Sequence, residues 1–392
     1  MTALVPPSAV RRAACALIAF LCVDGADLRA QAAPDARFEA LASLVESKRK
    51  EYGVPGVALG IIHDGHVTIR GFGVTNVEDS IPVNAHTVFP IASISKTFAA
   101  TAIMRLVEQG KLSLDDPLSK YRPEFPRAAE VTVRQLLNHT SGIMSYTHPR
   151  VASQIREAGR RDWTTDQLIA RIATLEPAYE FDPGTGWSYS NSGYILLGAI
   201  IEKVSGMSYA EYLRTALLEP LGLAHTAVDD LALVVPDRAS GYEPSKKASS
   251  GFRNADFIPM SAAGPAGAMR STAADLLKWS LALFGGQVLQ PATLAMMTTP
   301  ARLKDGRLAS KGRLPPIWIP ETTEYGFGLF LGVLDGRATT GHGGAIFGFN
   351  TWLETFRDQG VTIAVMTNTG YPSAEKTGPK VADAWFKTMA VP

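Results

Sequence analysis

Strand-type sequence lies at both ends of this chain, with helix-type sequence between, and that arrangement limits the fold more than any other feature. Residues 57–62 and 66–74 are apolar runs flanking Asp64-Gly65, a dipeptide suited to the tight turn of a β-hairpin. Near the start, Phe38, Leu41, Leu44 and Val45 recur at helical spacing. The middle, about 111 to 285, predicts helices around 133–138, 165–174, 192–204, 209–217 and 272–283. Strands return at 325–333, 338–342, 350–356 and 361–367, and a last helix is expected over 379–389 with Pro379 at its start. Strands divided by a long helical insertion imply one antiparallel sheet assembled from both ends of the chain. The expected class is α/β (α+β): a sheet subdomain of about 33–110 plus 286–392, flanked by N- and C-terminal helices, and a helical subdomain of about 111–285. A substrate site belongs in the cleft where the two meet.

The chain has 392 residues, 46% hydrophobic and 19% charged, which suits a sizeable core. A net charge of +1, with no long run of one sign, gives no footprint for nucleic acid or an anionic membrane surface. Arg11-Arg12, the apolar run 13–23 and Ala30-Gln31-Ala32 read as a signal peptide over 1–32 with a small-x-small cleavage site. The apolar run is about half the ~20 residues a membrane span needs. The expected location is therefore secreted or periplasmic. Both cysteines, Cys15 and Cys22, fall in the leader, which leaves the mature chain without a disulfide, a thiol nucleophile or a cysteine metal site.

Ser93-Ile94-Ser95-Lys96 follows Phe89-Pro90 and heads an apolar helical run that stops at Gly110. Positions i and i+3 share a helix face, so the Lys96 amine can sit over the Ser93 hydroxyl. A serine is a weak nucleophile until a neighbouring base takes its proton. The pattern alone is common: about one or two matches arise by chance in a chain this long. Ser47–Lys50 and Ser373–Lys376 also fit it.

Two further segments add chemistry. Tyr189-Ser190-Asn191 lies in a loop just before a helix. A phenol beside a lysine ammonium loses its proton more readily, which makes Tyr189 a candidate general base and acid. Asn191 offers an amide donor and acceptor to a substrate. His342-Gly343-Gly344-Ala345 closes the strand that begins near Ala338, and its glycines let a substrate approach the backbone.

In this order, Ser93-x-x-Lys96, Tyr189-x-Asn191 and His342-x-Gly344 resemble the three motifs of the class C β-lactamase-related serine hydrolases. That family includes D-alanyl-D-alanine carboxypeptidases, D-amino-acid peptidases and family VIII esterases. The segments 133–142, 219–223 and 271–276 are similar to it as well, and the resemblance covers nearly all of the mature chain. It implies that Ser93 attacks a carbonyl, that Lys96 and Tyr189 shuttle its proton, and that Asn191 holds a substrate amide. It also implies an oxyanion hole made by the backbone N–H groups of Ser93 and Ala345, with His342, Gly343 and Gly344 lining the substrate. An acyl-enzyme forms and water releases it. No metal or cofactor is implied, and the expected partner is a small-molecule or peptide substrate, with the oligomeric state left open.

Lys376-Thr377-Gly378 is a literal copy of the third motif of true β-lactamases in that family. It is rejected here because two strands and a helix should follow the motif, and after Lys376 only a helix remains. A neutral His342 and a Gly343 without a hydroxyl grip a carboxylate less firmly than a lysine and a threonine. This tilts the expected substrate toward an ester, an amide or a D-peptide and away from efficient β-lactam hydrolysis. Other readings carry less. No Gly-x-Ser-x-Gly occurs, against a nucleophile-elbow hydrolase. His63 and His66 straddle a turn and read as polar turn residues rather than metal ligands. His139 reads as support for the preceding helix end. The non-enzymatic alternative is a penicillin-binding sensor or scaffold that acylates without efficient turnover.

Overall fold

The computed structural model describes residues 36–151, 153–154, 161–309, 322–370 and 373–389; the expected leader, with Cys15 and Cys22, lies outside them. The chain opens with helix α1 (Ala36–Glu51), the hairpin β1 (Gly56–His63) and β2 (His66–Asn76), and a short β3 (Ile81–Pro82). Strand β4 (Phe89–Pro90) leads through a 3₁₀ turn (Ala92–Ile94) into α2 (Ser95–Glu108). Helices α3 (Val133–Leu137), α4 (Thr165–Ala173), α5 (Asn191–Ser205) and α6 (Tyr209–Leu213) follow, the last continued by a π-helical turn (Arg214–Leu218). Short strands β5 (Ala227–Val228), β6 (Tyr242–Pro244) and β7 (Phe252–Asn254) precede α7 (Met260–Gly267), β8 (Met269–Ser271), α8 (Ala273–Phe284) and α9 (Pro291–Met297). The chain ends in β9 (Thr322–Tyr325), β10 (Phe330–Leu334), β11 (Arg337–Ile346), β12 (Phe349–Phe356), β13 (Val361–Thr367) and α10 (Ser373–Met389).

Eight strands form one sheet in the order β3-β2-β1-β13-β12-β11-β10-β9, and each neighbouring pair is antiparallel. The two ends of the chain meet where β1 pairs with β13, Val57 opposite Thr367, as the sequence predicted. Asp64 and Gly65 both have positive φ, 49° and 77°, which is the backbone of a type I′ hairpin turn. Every residue of β13 is buried, because helices cover both faces of the sheet there. Leu41 and Val45 of α1 and Val381 and Trp385 of α10 close one face with Leu59, Trp352 and Val365. On the other face Leu353, Ala364 and Met366 join the main core with α2 and α8. Trp279 of α8 stacks on Phe98 of α2, centroids 4.0 Å apart, and donates its Nε1–H to Thr97 Oγ1 at 3.0 Å.

The structure departs from the sequence reading in four places. The strand expected over 325–333 is two strands, β9 and β10, split by a turn whose Gly328 (φ 70°) lies against the Lys96 carbonyl; a Cβ there would come within 2.7 Å of that oxygen. The last helix starts at Ser373, so Pro379 is inside it. The cause is Asn350, whose Oδ1 accepts from the N–H groups of Ala374 (2.7 Å) and Glu375 (3.3 Å) and so satisfies the helix start from across the sheet. Helix α8 packs against the sheet, which brings the chain back to it before the boundary expected near 285. Helices α7 and α9 and the short strands β3 to β8 carry too few residues to show a period.

Burial pushes the Glu375 carboxyl, in the first turn of α10, up to about 8. Its folded value stands above its unfolded one, so the fold loses stability as pH rises from about 4.5 to about 8. Glu375→Gln should be near neutral at pH 4 and stabilising by roughly 3–5 kcal/mol at pH 9. Urea unfolding at the two pH values checks this, and an equal gap at both would refute it.

Candidate active site

The nucleophile segment is placed by backbone. The Ile91 N–H donates to Met269 O at 2.9 Å, and Met269 N–H donates to Ser95 Oγ at 3.0 Å, so β8 grips the 3₁₀ turn on both sides of Ser93. Ala92 takes φ 46°, a conformation rare for a residue with a side chain and often found beside reacting groups. Ser93 lies in the 3₁₀ turn and Lys96 in the first turn of α2, and side chains three apart in such a turn nearly eclipse.

Lys96 is fully buried, and its Nζ lies 3.1 Å from Ser93 Oγ. It also donates to Ala266 O at 2.6 Å. That carbonyl is available for a physical reason: α7 ends at Gly267, so Ala266 O belongs to the last turn and has no helical partner. Burial holds the Lys96 amine well below the ordinary lysine range, which favours its neutral form. The Tyr189 and Tyr194 rings lie over Nζ, centroids 4.8 and 5.4 Å away.

Tyr189 is half-buried, in a loop that a second loop holds in place. The Asn191 N–H donates to Ser145 Oγ (3.1 Å), the Tyr146 N–H to Ser192 Oγ (2.9 Å), and Ser192 Oγ to Met144 O (2.7 Å). Burial raises the Tyr189 phenol above its ordinary value, and its interaction with Ser93 lowers it only in part. The sequence expectation was that lysine would help Tyr189 lose its proton; burial instead pushes Lys96 toward its neutral form and Tyr189 toward its protonated one. Asn191 begins α5, with one amide hydrogen committed to Thr147 Oγ1 at 2.8 Å.

Strand β11 passes directly beside the nucleophile. A Cβ on Gly344 would lie 2.3 Å from Ile91 O and 3.1 Å from Ser93 N. Ala345, the next residue, is exposed. Asn350 donates its Nδ2–H to Gly344 O at 2.9 Å, which ties this point of β11 to the start of α10. His342 differs from its expected part in lining the substrate. It is fully buried, Nδ1 donates to Gly343 O, and Nε2 accepts from Tyr325 OH at 3.1 Å. Both ring nitrogens are taken by the protein, and burial lowers its pKa to about 3.

Sequence reasoning missed the Ala266 carbonyl, Tyr194 and Tyr325. None sits in a motif, and only the fold brings Ala266 O and Tyr194 to Lys96 and Tyr325 to His342. The rejected copies lie elsewhere. Lys376-Thr377-Gly378 is part of α10 on the opposite side of the sheet, where a Cβ on Gly378 would clash with the Trp352 ring. Ser373 Oγ pairs with Thr367 Oγ1, and Ser47 is exposed on α1. Among the described residues no cluster of three or more His, Cys, Asp or Glu side chains is arranged to hold a metal, and no helix is long and apolar enough to cross a membrane.

A hydroxyl with a buried amine beside it is an arrangement that fits a serine hydrolase. A family model described as Beta-lactamase matches residues 41–384, and the chain belongs to the β-lactamase family. It is 31% identical over 348 residues to penicillin-binding protein 4 of Amycolatopsis lactamdurans, covering 85% of this chain and 84% of that one. To the D-aminopeptidase of Gluconobacter oxydans (strain 621H) it is 27% identical over 334 residues, 85% of this chain and 59% of the relative. The crystal structure of D-amino acid amidase from Ochrobactrum anthropi SV3, complexed with L-phenylalanine amide, superposes with a TM-score of 0.78 at 26% identity, covering 91% of this chain and all of that one.

The close approach at Gly344 makes two substitutions informative together. Gly344→Ala should push β11 off the nucleophile turn and cost about a hundredfold or more in turnover, the scale of a lost oxyanion donor. Lys376→Ala, in the rejected copy, should stay within about twofold of the parent. Steady-state kinetics on one chromogenic substrate compares them, and the reverse ranking would move the third motif to α10.

Proposed function

We propose that the protein hydrolyses an amide or ester bond through an acyl-enzyme on Ser93, with small amides or peptides of D-amino acids as the preferred substrates. The observation that carries this is the Lys96 amine, buried, favoured as neutral and 3.1 Å from Ser93 Oγ. The amine takes the hydroxyl proton as Oγ bonds to the carbonyl carbon. The negative oxygen that forms accepts from the N–H groups of Ser93 and Ala345. The carbon–nitrogen or carbon–oxygen bond then breaks, and the leaving group takes a proton delivered from Lys96 through the Tyr189 phenol. Water repeats the sequence on the Ser93 ester, gives up a proton to the same base, and frees the acid and the hydroxyl. Asn191 holds the substrate amide.

The substrate class rests on two supports. His342 has no free ring nitrogen to meet a carboxylate, and Gly343 has no hydroxyl. The relatives include a D-aminopeptidase and a D-amino acid amidase. The leader expected over 1–32 supports a site of action outside the cytoplasm.

The proton inventory gives the sign of the pH effect. Protonated Lys96 cannot accept from Ser93, so turnover falls as pH drops through its depressed pKa. Lys96→Arg carries a positive charge at every working pH. It should lose at least about a thousandfold in kcat across pH 6–10, and Ser93→Ala at least as much. Both are to be measured on D-alanine and D-phenylalanine p-nitroanilides, their L-forms, p-nitrophenyl acetate and a chromogenic cephalosporin. Ser93→Ala retaining full turnover would sink the mechanism, and a preference for the L-forms or the cephalosporin would sink the substrate class.

A further inference from the structure

We propose that His139 is a positioning residue for catalysis: it holds Tyr189 against Lys96 through hydrogen bonds to the residues on either side of that tyrosine. The Ser188 N–H donates to His139 O at 3.1 Å. The Ser190 N–H donates to His139 Nδ1, also at 3.1 Å. One residue thus takes both backbone donors that bracket Tyr189. Its ring lies on the Tyr189 ring as well, centroids 4.4 Å apart. Tyr189 is fixed at its two peptide neighbours and along its face, which leaves its phenol little freedom to swing from Lys96 and Ser93.

This clamp works with one protonation state only. A neutral imidazole with its proton on Nε2 offers Nδ1 as an acceptor, whereas an imidazolium presents N–H at both positions and meets the Ser190 N–H with a donor. The surroundings enforce the neutral form. Around the ring stand Lys96 of α2, Tyr189, Tyr194 of α5, Tyr325 of β9 and His342 of β11, and among the described residues no carboxylate faces it. Burial holds His139 well below the ordinary histidine range. No partner meets Nε2 among the described residues, so the ring's one engaged nitrogen is the one that faces the Tyr189 loop. The backbone places the residue for this part. His139 has φ 65°, the left-handed position that ends α3 with the Thr140 N–H donating to Gln135 O at 3.0 Å, and its own carbonyl and ring are left to meet the Tyr189 loop.

The inference rests on the reading of Tyr189 as the proton-transfer group, and one series separates the two. Asparagine tolerates the same φ and carries Oδ1 where histidine carries Nδ1, whereas glutamine places its acceptor one atom farther out and leucine has none. The measurements are kcat, KM and Tm for His139→Leu, His139→Gln, His139→Asn and Tyr189→Phe on the best substrate. The expected result is a kcat loss of about thirtyfold or more for the leucine and glutamine variants with KM within about threefold, and recovery to within about fivefold of the parent for asparagine. A leucine variant with parental kcat, or an asparagine variant as slow as glutamine, would overturn the clamp. Should the leucine variant fail to fold, asparagine against glutamine decides, since both are primary amides of similar polarity. A fully active Tyr189→Phe would instead remove the reading of Tyr189 on which the inference stands.

Discussion

A lysine amine buried beside a serine hydroxyl is the constraint around which this molecule is arranged. An ammonium taken out of water costs several kcal/mol unless it is paired, and among the described residues no carboxylate pairs with Lys96. The cheaper course is to give up the proton, which turns a structural liability into a base. What the neutral amine still needs is acceptors, and the fold supplies one from an unused helix end, Ala266 O, with Ser93 Oγ as the other neighbour. Helix α7 is interrupted at Gly264 (φ 44°, ψ −144°) and contains Pro265, so its short last turn is aimed rather than continued.

The sheet contributes a different thing, a backbone edge at fixed height above the nucleophile. Gly344 can approach the Ile91 carbonyl so closely only because it has no Cβ. Its position is set from behind by Asn350, which satisfies the start of α10 with Oδ1 and Gly344 O with Nδ2. One buried amide therefore joins the helical layer on the far face to the point of the sheet nearest Ser93. The site is built on rigid elements from both ends of the chain, and the helical middle brings Tyr189 to it.

Much of this was legible in the sequence, and what was not has physical causes. The hairpin at Asp64-Gly65, helices α1 and α3 to α6, and strands β12 and β13 follow from turn chemistry and periodicity, which act over a few residues. Ser93, Lys96 and Tyr189 stood out as an ordered set, and the fold places them within contact of one another. Three things were hidden because they depend on tertiary partners. The start of α10 is set by Asn350 from another strand, and it overrode the proline signal at 379. The break between β9 and β10 follows from the contact of Gly328 with Lys96 O. Burial pushes Lys96 toward the neutral amine and Tyr189 toward the phenol, against an argument based on neighbouring charge alone. His342 shows the same limit: its type was readable, but its engagement with Tyr325 OH and Gly343 O was not.

Burial settles the electrical character of the centre. Lys96, His139 and His342 are all driven toward their neutral forms, and Tyr189, Tyr194 and Tyr325 are all held as phenols. None of these six shifts favours a charged form. Negative charge that develops on a carbonyl oxygen must then be met by backbone dipoles, which are fixed before the reaction and need no reorganisation. The same neutrality works against an anionic group beside Ser93, because none of these side chains offers it a countercharge, while an uncharged amide or ester carbonyl pays no such penalty. Desolvation thus bears on both halves of the proposed chemistry, the state of the Lys96 amine and the kind of group that can approach it.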